Sequence, residues 1–154
     1  MSYSSDLSNI RKSILNSIQN ADSGHLGPSF SCTEILYIIL KKYINFKNKN
    51  RNKIILSKGH AAPAIYAIYN HLNLLKKNEL NSLRKFTSRL QGHPDKKKLK
   101  LLDFGTGALG QGLSVSIGYS LSSRLLNKKN FIFCVLGDGE LQEGQVWEAA
   151  MYIG

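Results

Sequence analysis

The chain has 154 residues, enough for one domain and too few for two well-built ones. Its 42% hydrophobic and 20% charged residues are the ordinary balance of a soluble globular protein. The net charge of +11 raises the question of a nucleic-acid partner. The basic residues, however, fall in three runs (47–53, 96–100 and 128–129) that separate apolar segments and carry no interleaved aromatics. Such runs read as solvated loops, so nucleic acid is not the expected partner.

Cys32 and Cys134 stand far apart, each within an apolar run and without a C-x-x-C spacing, which predicts buried free thiols in a reducing compartment. The first residues contain no apolar core of a secretory signal, and the longest apolar runs, 35–40 and 131–136, are too short to span a bilayer. The expectation is a cytoplasmic protein with no membrane partner.

Leu7, Ile10, Ile14, Leu15 and Ile18 recur at helical spacing, with Asp6 placed as an N-cap. Residues 21–31 read as a loop rich in Gly, Ser and Pro. Ser31-Cys32-Thr33-Glu34 has the form of a capping box opening a second helix through Ile35, Leu36, Ile39 and Leu40. Residues 53–57 read as a short buried strand leading into Lys58-Gly59-His60, followed by an Ala-rich helix with Pro63 near its first turn. A short helix is predicted over 78–86, loop over 87–108, and a small-residue helix over 110–126. Residues 131–136 lack both charge and alternation, as a strand covered on both faces does. The turn Gly137-Asp138-Gly139 follows, and a last helix begins near Val146. Strands alternating with helices predict an α/β fold with a parallel sheet flanked by helices. Ligands of such sheets bind at the carboxyl ends of the strands, here Ser57-Lys58-Gly59-His60 and Gly137-Asp138-Gly139.

The chain has ten acidic residues, and four of them, Asp138, Glu140, Glu143 and Glu148, follow the apolar strand. That clustering suggests a hard cation such as Mg²⁺, which takes one or two carboxylates together with phosphate oxygens. Gly-Asp-Gly by itself reads equally well as a tight turn with an exposed acid. Three of the four histidines directly follow glycine, in Gly24-His25, Gly59-His60 and Gly92-His93. Exposed on loops, such imidazoles can donate to phosphate or hydroxyl oxygens and relay protons. His71 falls within a helix and reads as structural or exposed. Gly105-Thr106-Gly107-Ala108-Leu109-Gly110 fits G-x-G-x-x-G, but no acid occurs between Asp103 and Asp138 and the preceding run makes a poor strand. Dinucleotide binding is therefore not expected.

Taken together, five segments resemble the transketolase family, in its order: residues 21–27, 57–63, 91–94, 106–112 and 137–151. The resemblance covers essentially the whole chain. The related deoxyxylulose phosphate synthases share a Gly-His loop and Gly-Asp-Gly, whereas Gln91-Gly92-His93-Pro94 and the stretch from Leu141 to Glu148 resemble transketolase. The resemblance implies transfer of a two-carbon ketol unit between ketose and aldose phosphates with thiamine diphosphate and Mg²⁺, a pentose phosphate pathway reaction. It implies Asp138 as the metal ligand, Gly139 against the diphosphate and His60 hydrogen-bonded to it. Gly107 and Leu109 would contact the cofactor rings. His25 and His93 would face the donor sugar, and Glu143 would link the two active sites at a subunit interface. The family's second metal-site side chain, an asparagine, lies farther along than Gly154, and the glutamate that activates the cofactor belongs to a second domain. The expectation is a single, partial thiamine diphosphate-binding domain over 1–154, incomplete at its C-terminus. It would be inactive alone and would need a complementing C-terminal part or subunit in a homo- or hetero-oligomer. The alternatives are another thiamine diphosphate enzyme, or a basic non-catalytic binding remnant.

Overall fold

A computed structural model describes residues 3–153. In chain order the helices are α1 (Tyr3–Ala21), α2 (Leu26–Ser31), α3 (Thr33–Ile38), α4 (Ala62–His71), α5 (Gln111–Leu125) and α6 (Gly144–Ile153). The strands are β1 (Lys53–Leu56), between α3 and α4, and β2 (Ile132–Val135), between α5 and α6. The strands pair in parallel, with Lys53 opposite Ile132 and Leu56 opposite Val135. An α/β fold with a parallel sheet is thus what the chain forms.

The two faces of β1 explain the layering. Ile54 and Leu56, two residues apart, join one hydrophobic cluster with Ile10 and Ile14 of α1, Leu36 and Tyr37 of α3, and Tyr66 and Tyr69 of α4. Ile55 points to the opposite face, where α5 packs on both strands. In α4, every residue from Ala62 to Tyr69 is buried, so this helix is the centre of the core rather than an amphipathic cover. Pro63 occupies its first turn, where the missing N–H has no intrahelical partner to lose.

Several expectations are corrected. Residues 26–31 form α2 instead of loop: Pro28 falls in its first turn, where the missing N–H has no intrahelical partner to lose, and the serine hydroxyls are satisfied locally, Ser29 Oγ donating to the His25 carbonyl at 2.7 Å and Ser31 Oγ to that of Pro28 at 3.0 Å. Ser31 consequently ends one helix and caps no other; Cys32 stands at the start of α3 without a side-chain cap. The 78–86 segment keeps only the 3₁₀ turn Glu79–Ser82. Leu83 is extended and Arg84 left-handed (φ 61°), and the Arg84 N–H donates to the Leu90 carbonyl instead of continuing a helix. The basic run 47–53 is not wholly solvated. Arg51 makes a two-pronged pair with buried Asp103 at 2.7 and 2.8 Å, joined by Lys53 at 3.4 Å. Strand β2 is covered only in part: Phe131 before it is exposed, Ile132, Phe133 and Cys134 are half-buried, and only Val135 is buried. Cys32 and Cys134 are both free thiols, the first buried and the second half-buried.

Asp6 lies inside the first turns of α1, buried, and does not cap it. Its carboxylate accepts from Tyr37 Oη at 2.5 Å and Lys41 Nζ at 3.0 Å, and sits 3.3 Å from His71 Nε2. His71 is thereby structural. The Tyr37 hydrogen bond, then that of Lys41, holds the Asp6 carboxyl down at about 2, against an ordinary value of 3.8. A depressed carboxyl stabilises the fold above its ordinary value and loses that contribution as pH falls through the folded value. Between pH 4 and 2 the stability of the wild type is expected to fall more steeply than that of Asp6→Asn. Urea midpoints across that window check this, and parallel slopes for the two proteins would rule out the linkage.

Candidate active site

The in-register parallel pairing brings both strand exits to one edge of the sheet. From β1 the chain runs through Ser57 and Lys58, both buried, into the 3₁₀ turn Gly59–Ala61. From β2 it runs through buried Gly137 and exposed Asp138 into the 3₁₀ turn Gly139–Gln142. Between them opens a cleft of about 430 Å³, walled by Gly27, Pro28 and Ser31 of α2, Lys58, His60, Leu109 and the Gly137–Glu140 turn. Four residues singled out in the sequence, His60, Leu109, Asp138 and Gly139, therefore line one cleft.

The others surround it. The His25 and His60 rings meet edge to face with centroids 5.5 Å apart. The position of a Cβ on Gly107 is 3.7 Å from His93 Cγ. Gly59 lies so close to the Thr106–Gly107 backbone that a Cβ would come within 2.9 Å of it, which is why the glycine before His60 admits no side chain. His93 itself lines a neighbouring open cavity of about 550 Å³ with Arg84, Gln91 and Asp95. Glu143 is exposed immediately before α6, against Gly110, whose Cβ position is 3.1 Å from that of Glu143. Burial, reinforced by the Lys58 charge and then by His25, lowers the His60 pKa. Burial, reinforced by Arg84 and then by His25, lowers that of His93. Both imidazoles are consequently neutral near pH 7 and can donate from one nitrogen while accepting at the other.

Glu140 departs from its sequence reading. Its place among the four acids after β2 suggests a cation ligand, yet it is only 2% exposed and its carboxylate is fully committed inside the protein. Oε1 accepts from the Ser57 hydroxyl and from Gly110 N at 2.9 Å, and Oε2 accepts from Gly137 N at 2.9 Å. Ser57 Oγ in turn accepts from Gly112 N at 3.1 Å, and a Cβ on Gly112 would stand 2.3 Å from that oxygen. One carboxylate thus ties the β1 exit, the loop entering α5 and the β2 exit. Nothing in the local pattern marks it, since an acid just after a turn normally reads as solvated. The Gly105–Gly110 loop follows no strand; it is anchored by Thr106, whose hydroxyl donates to the Leu56 carbonyl at 2.7 Å.

Asp138 is exposed, and its carboxylate has no hydrogen-bond or ion-pair partner among the described residues. The Cβ position of Gly139 faces open space, leaving room for a group against its backbone. Among the described residues no three His, Cys, Asp or Glu side chains converge as a metal cage. One free carboxylate beside an open, glycine-lined cleft fits Mg²⁺ carried with phosphate oxygens, which needs few protein ligands, and does not fit an all-protein site.

Residues 3–154 match the family described as transketolase, thiamine diphosphate binding domain. The chain belongs to the transketolase family. It is 38% identical to the transketolase of Pongo abelii over 149 residues, which are 93% of this chain and 24% of that protein. It is 35% identical to the 6-deoxy-6-sulfo-D-fructose transketolase subunit SqwG of a Clostridium species, over 94% of this chain and 54% of that subunit. Its fold superposes on the transketolase of Campylobacter jejuni with a TM-score of 0.87 at 28% identity, covering 97% of this chain and 25% of that one. The Pichia stipitis transketolase solved with sedoheptulose 7-phosphate gives 0.86 at 26% identity, with 97% and 24% coverage. The chain thus spans about a quarter of the transketolases it matches, and about half of SqwG. Among the described residues no helix is long and apolar enough to cross a membrane.

Proposed function

We propose that this domain supplies the diphosphate and metal side of a transketolase active site, for transfer of a two-carbon ketol unit between ketose and aldose phosphates. The observation that supports this reading best is the convergence of His60, Leu109, Asp138 and Gly139 on one cleft at two parallel strand exits. In it Asp138 holds Mg²⁺ together with diphosphate oxygens, Gly139 offers its backbone to the diphosphate, and His60 donates to it. Gly107 and Leu109 face the cofactor rings. Thiamine diphosphate, when bound, supplies the electron sink for breaking the ketose carbon–carbon bond. His25 and His93, neighbours of His60 on exposed loops, orient the donor's carbonyl and hydroxyls. Glu143 lies at the interface with a complementing transketolase polypeptide, which supplies the activating acid and the remaining ligands. The greater length of the relatives supports that division. The reaction is placed in the cytoplasm.

The test separates binding from turnover in a complex reconstituted with a complementing transketolase C-terminal polypeptide. His60→Ala is expected to weaken thiamine diphosphate binding, whereas His25→Ala and His93→Ala are expected to lower kcat about a hundredfold with cofactor affinity within about threefold. The 154-residue chain alone is expected to turn over no ketose phosphate. If all three substitutions shift thermal stability alike and leave the kinetics untouched, these roles are wrong.

A further inference from the structure

The roles given above leave Arg84 unused. It stands at φ 61°, a left-handed conformation uncommon outside glycine, asparagine and aspartate. Buried neighbours fix that turn: Leu83 and Leu90 are both in the core, and the Arg84 N–H donates to the Leu90 carbonyl at 2.8 Å. The side chain lies against Gly92, where a Cβ would stand 2.7 Å from Arg84 Nη1 and 2.8 Å from its Cζ. A planar guanidinium thus fills the space that a side chain on Gly92 would take. No internal anion pairs with it among the described residues. Asp95, the acid lining the same cavity, accepts the Lys97 and Lys98 amides on Oδ1, at 2.7 and 3.4 Å.

The residue after Gly92 is His93. Its backbone is pinned from the core, where Tyr66 Oη donates to the His93 carbonyl at 3.3 Å and the Thr106 N–H to that of Pro94 at 3.1 Å. Its imidazole lies beside Gly107. Arg84 packs against the step that leads into it. The charged and titratable groups around the ring are Arg84, Asp95 and Lys97 in its cavity, Tyr66 on the core side, and His25. Burial is the first cause of the lowered His93 pKa, and the Arg84 charge is the next, ahead of His25. A positive charge beside an imidazole disfavours its protonated form, so removing that charge lets the pKa rise.

We propose that Arg84 is a positioning residue for His93: its guanidinium, seated on Gly92, holds the Gly92–His93 step in the orientation needed at the donor sugar. The same charge keeps a second proton off the imidazole, so that one nitrogen accepts from a donor hydroxyl while the other donates. The inference rests on the reading of His93 given above. Arg84 acts through His93 and takes no part in the bond-breaking chemistry. This role accounts for an arginine at a backbone position that glycine or asparagine adopts with less strain.

The test begins with an NMR titration of the His93 imidazole in the 154-residue chain. Arg84→Asn tolerates the left-handed backbone and removes the guanidinium. Its His93 pKa is expected to rise by about half a unit or more, and Arg84→Lys, which keeps the charge, to reverse most of that rise. If Arg84→Asn does not fold, Gly92→Ala serves the same comparison, because its methyl displaces the guanidinium. In the reconstituted complex, Arg84→Asn is expected to lower kcat about tenfold at about pH 6.5 and by less at about pH 8, with thiamine diphosphate affinity within about threefold. The acid limb of its pH profile should move upward together with the His93 pKa. A His93 pKa within about 0.2 unit of the wild type in Arg84→Asn or Gly92→Ala overturns the inference. So does a loss of turnover that is equal at every pH, the mark of general damage. If His93→Ala itself leaves turnover untouched, the reading of His93 falls, and the imidazole titration in the chain alone still decides whether Arg84 holds that ring.

Discussion

Replacing Glu140 by alanine is expected to destabilise the fold by about 3–5 kcal/mol, among the largest effects of any single substitution in this chain. The wild-type carboxylate accepts from the Ser57 hydroxyl and from the Gly110 and Gly137 amides, all in a site closed to water. Alanine strands three buried donors at once, and each unsatisfied donor costs about 1–3 kcal/mol, offset in part by relief of the buried charge. The damage is also local. The three donors belong to the loops that carry His60, Leu109 and Asp138, so ligand binding should fall even under conditions where the variant is still folded. Glu140→Gln keeps an acceptor for Gly110 but turns an amide N–H₂ toward another donor, and should fall between the two. Urea unfolding of the three proteins is the measurement. A loss below about 1 kcal/mol for Glu140→Ala would show that water or backbone movement satisfies those donors.

The second large effect concerns binding alone. Asp138→Ala is expected to reduce Mg²⁺-dependent affinity for thiamine diphosphate by about a hundredfold or more, since even residues behind a metal ligand typically change affinity by 10–100-fold. Stability should move by no more than about 0.5 kcal/mol, because the side chain is exposed and unpartnered among the described residues. Titrations with and without Mg²⁺ distinguish the outcomes. If the variant binds as tightly as the wild type, or if the wild type is indifferent to Mg²⁺, Asp138 is not the metal ligand. The contrast with Glu140 is instructive: two acids two positions apart, one holding the loops in place, the other left free.

That contrast also marks what was legible in the sequence. The strand exits, the small-residue helix after Gly110 and the Gly-His loops were readable because each depends on local chemistry: apolar runs, glycine turns, a proline in a first turn. The gathering of His60, Asp138 and Gly139 followed from the topological rule for parallel sheets, whereas Leu109 was singled out only by the family resemblance. Glu140 was not readable in this way. Its role depends on burial, and burial is decided by segments far away in the chain: Gly110 lies 30 residues from Glu140. Helix α2 was missed for a related reason. Gly, Ser and Pro read as helix breakers, but Pro28 falls in the first turn of α2, where its missing N–H loses no intrahelical partner, and the hydroxyls of Ser29 and Ser31 are satisfied on the nearby His25 and Pro28 carbonyls. The apparent helix at 78–86 failed because the Arg84 N–H bonds to the Leu90 carbonyl, a contact no helical period encodes.

The two-stranded sheet has unequal sides. Alternate backbone groups of β1 face away from β2. There the Ile54 N–H donates to Asp103 Oδ2 at 3.0 Å and the Leu56 carbonyl accepts from the Thr106 hydroxyl at 2.7 Å. Side chains stand where a strand would have paired, and Arg51 and Lys53 neutralise the acid that does so. On the far side of β2 no strand lies among the described residues, and the residues there are uncharged and only half-buried. The sheet therefore has a finished margin and a growing one. Any strand joining it, from additional chain or from another molecule, is directed to β2, and the order of strands in a larger assembly is set by an aspartate and a threonine that never enter the sheet.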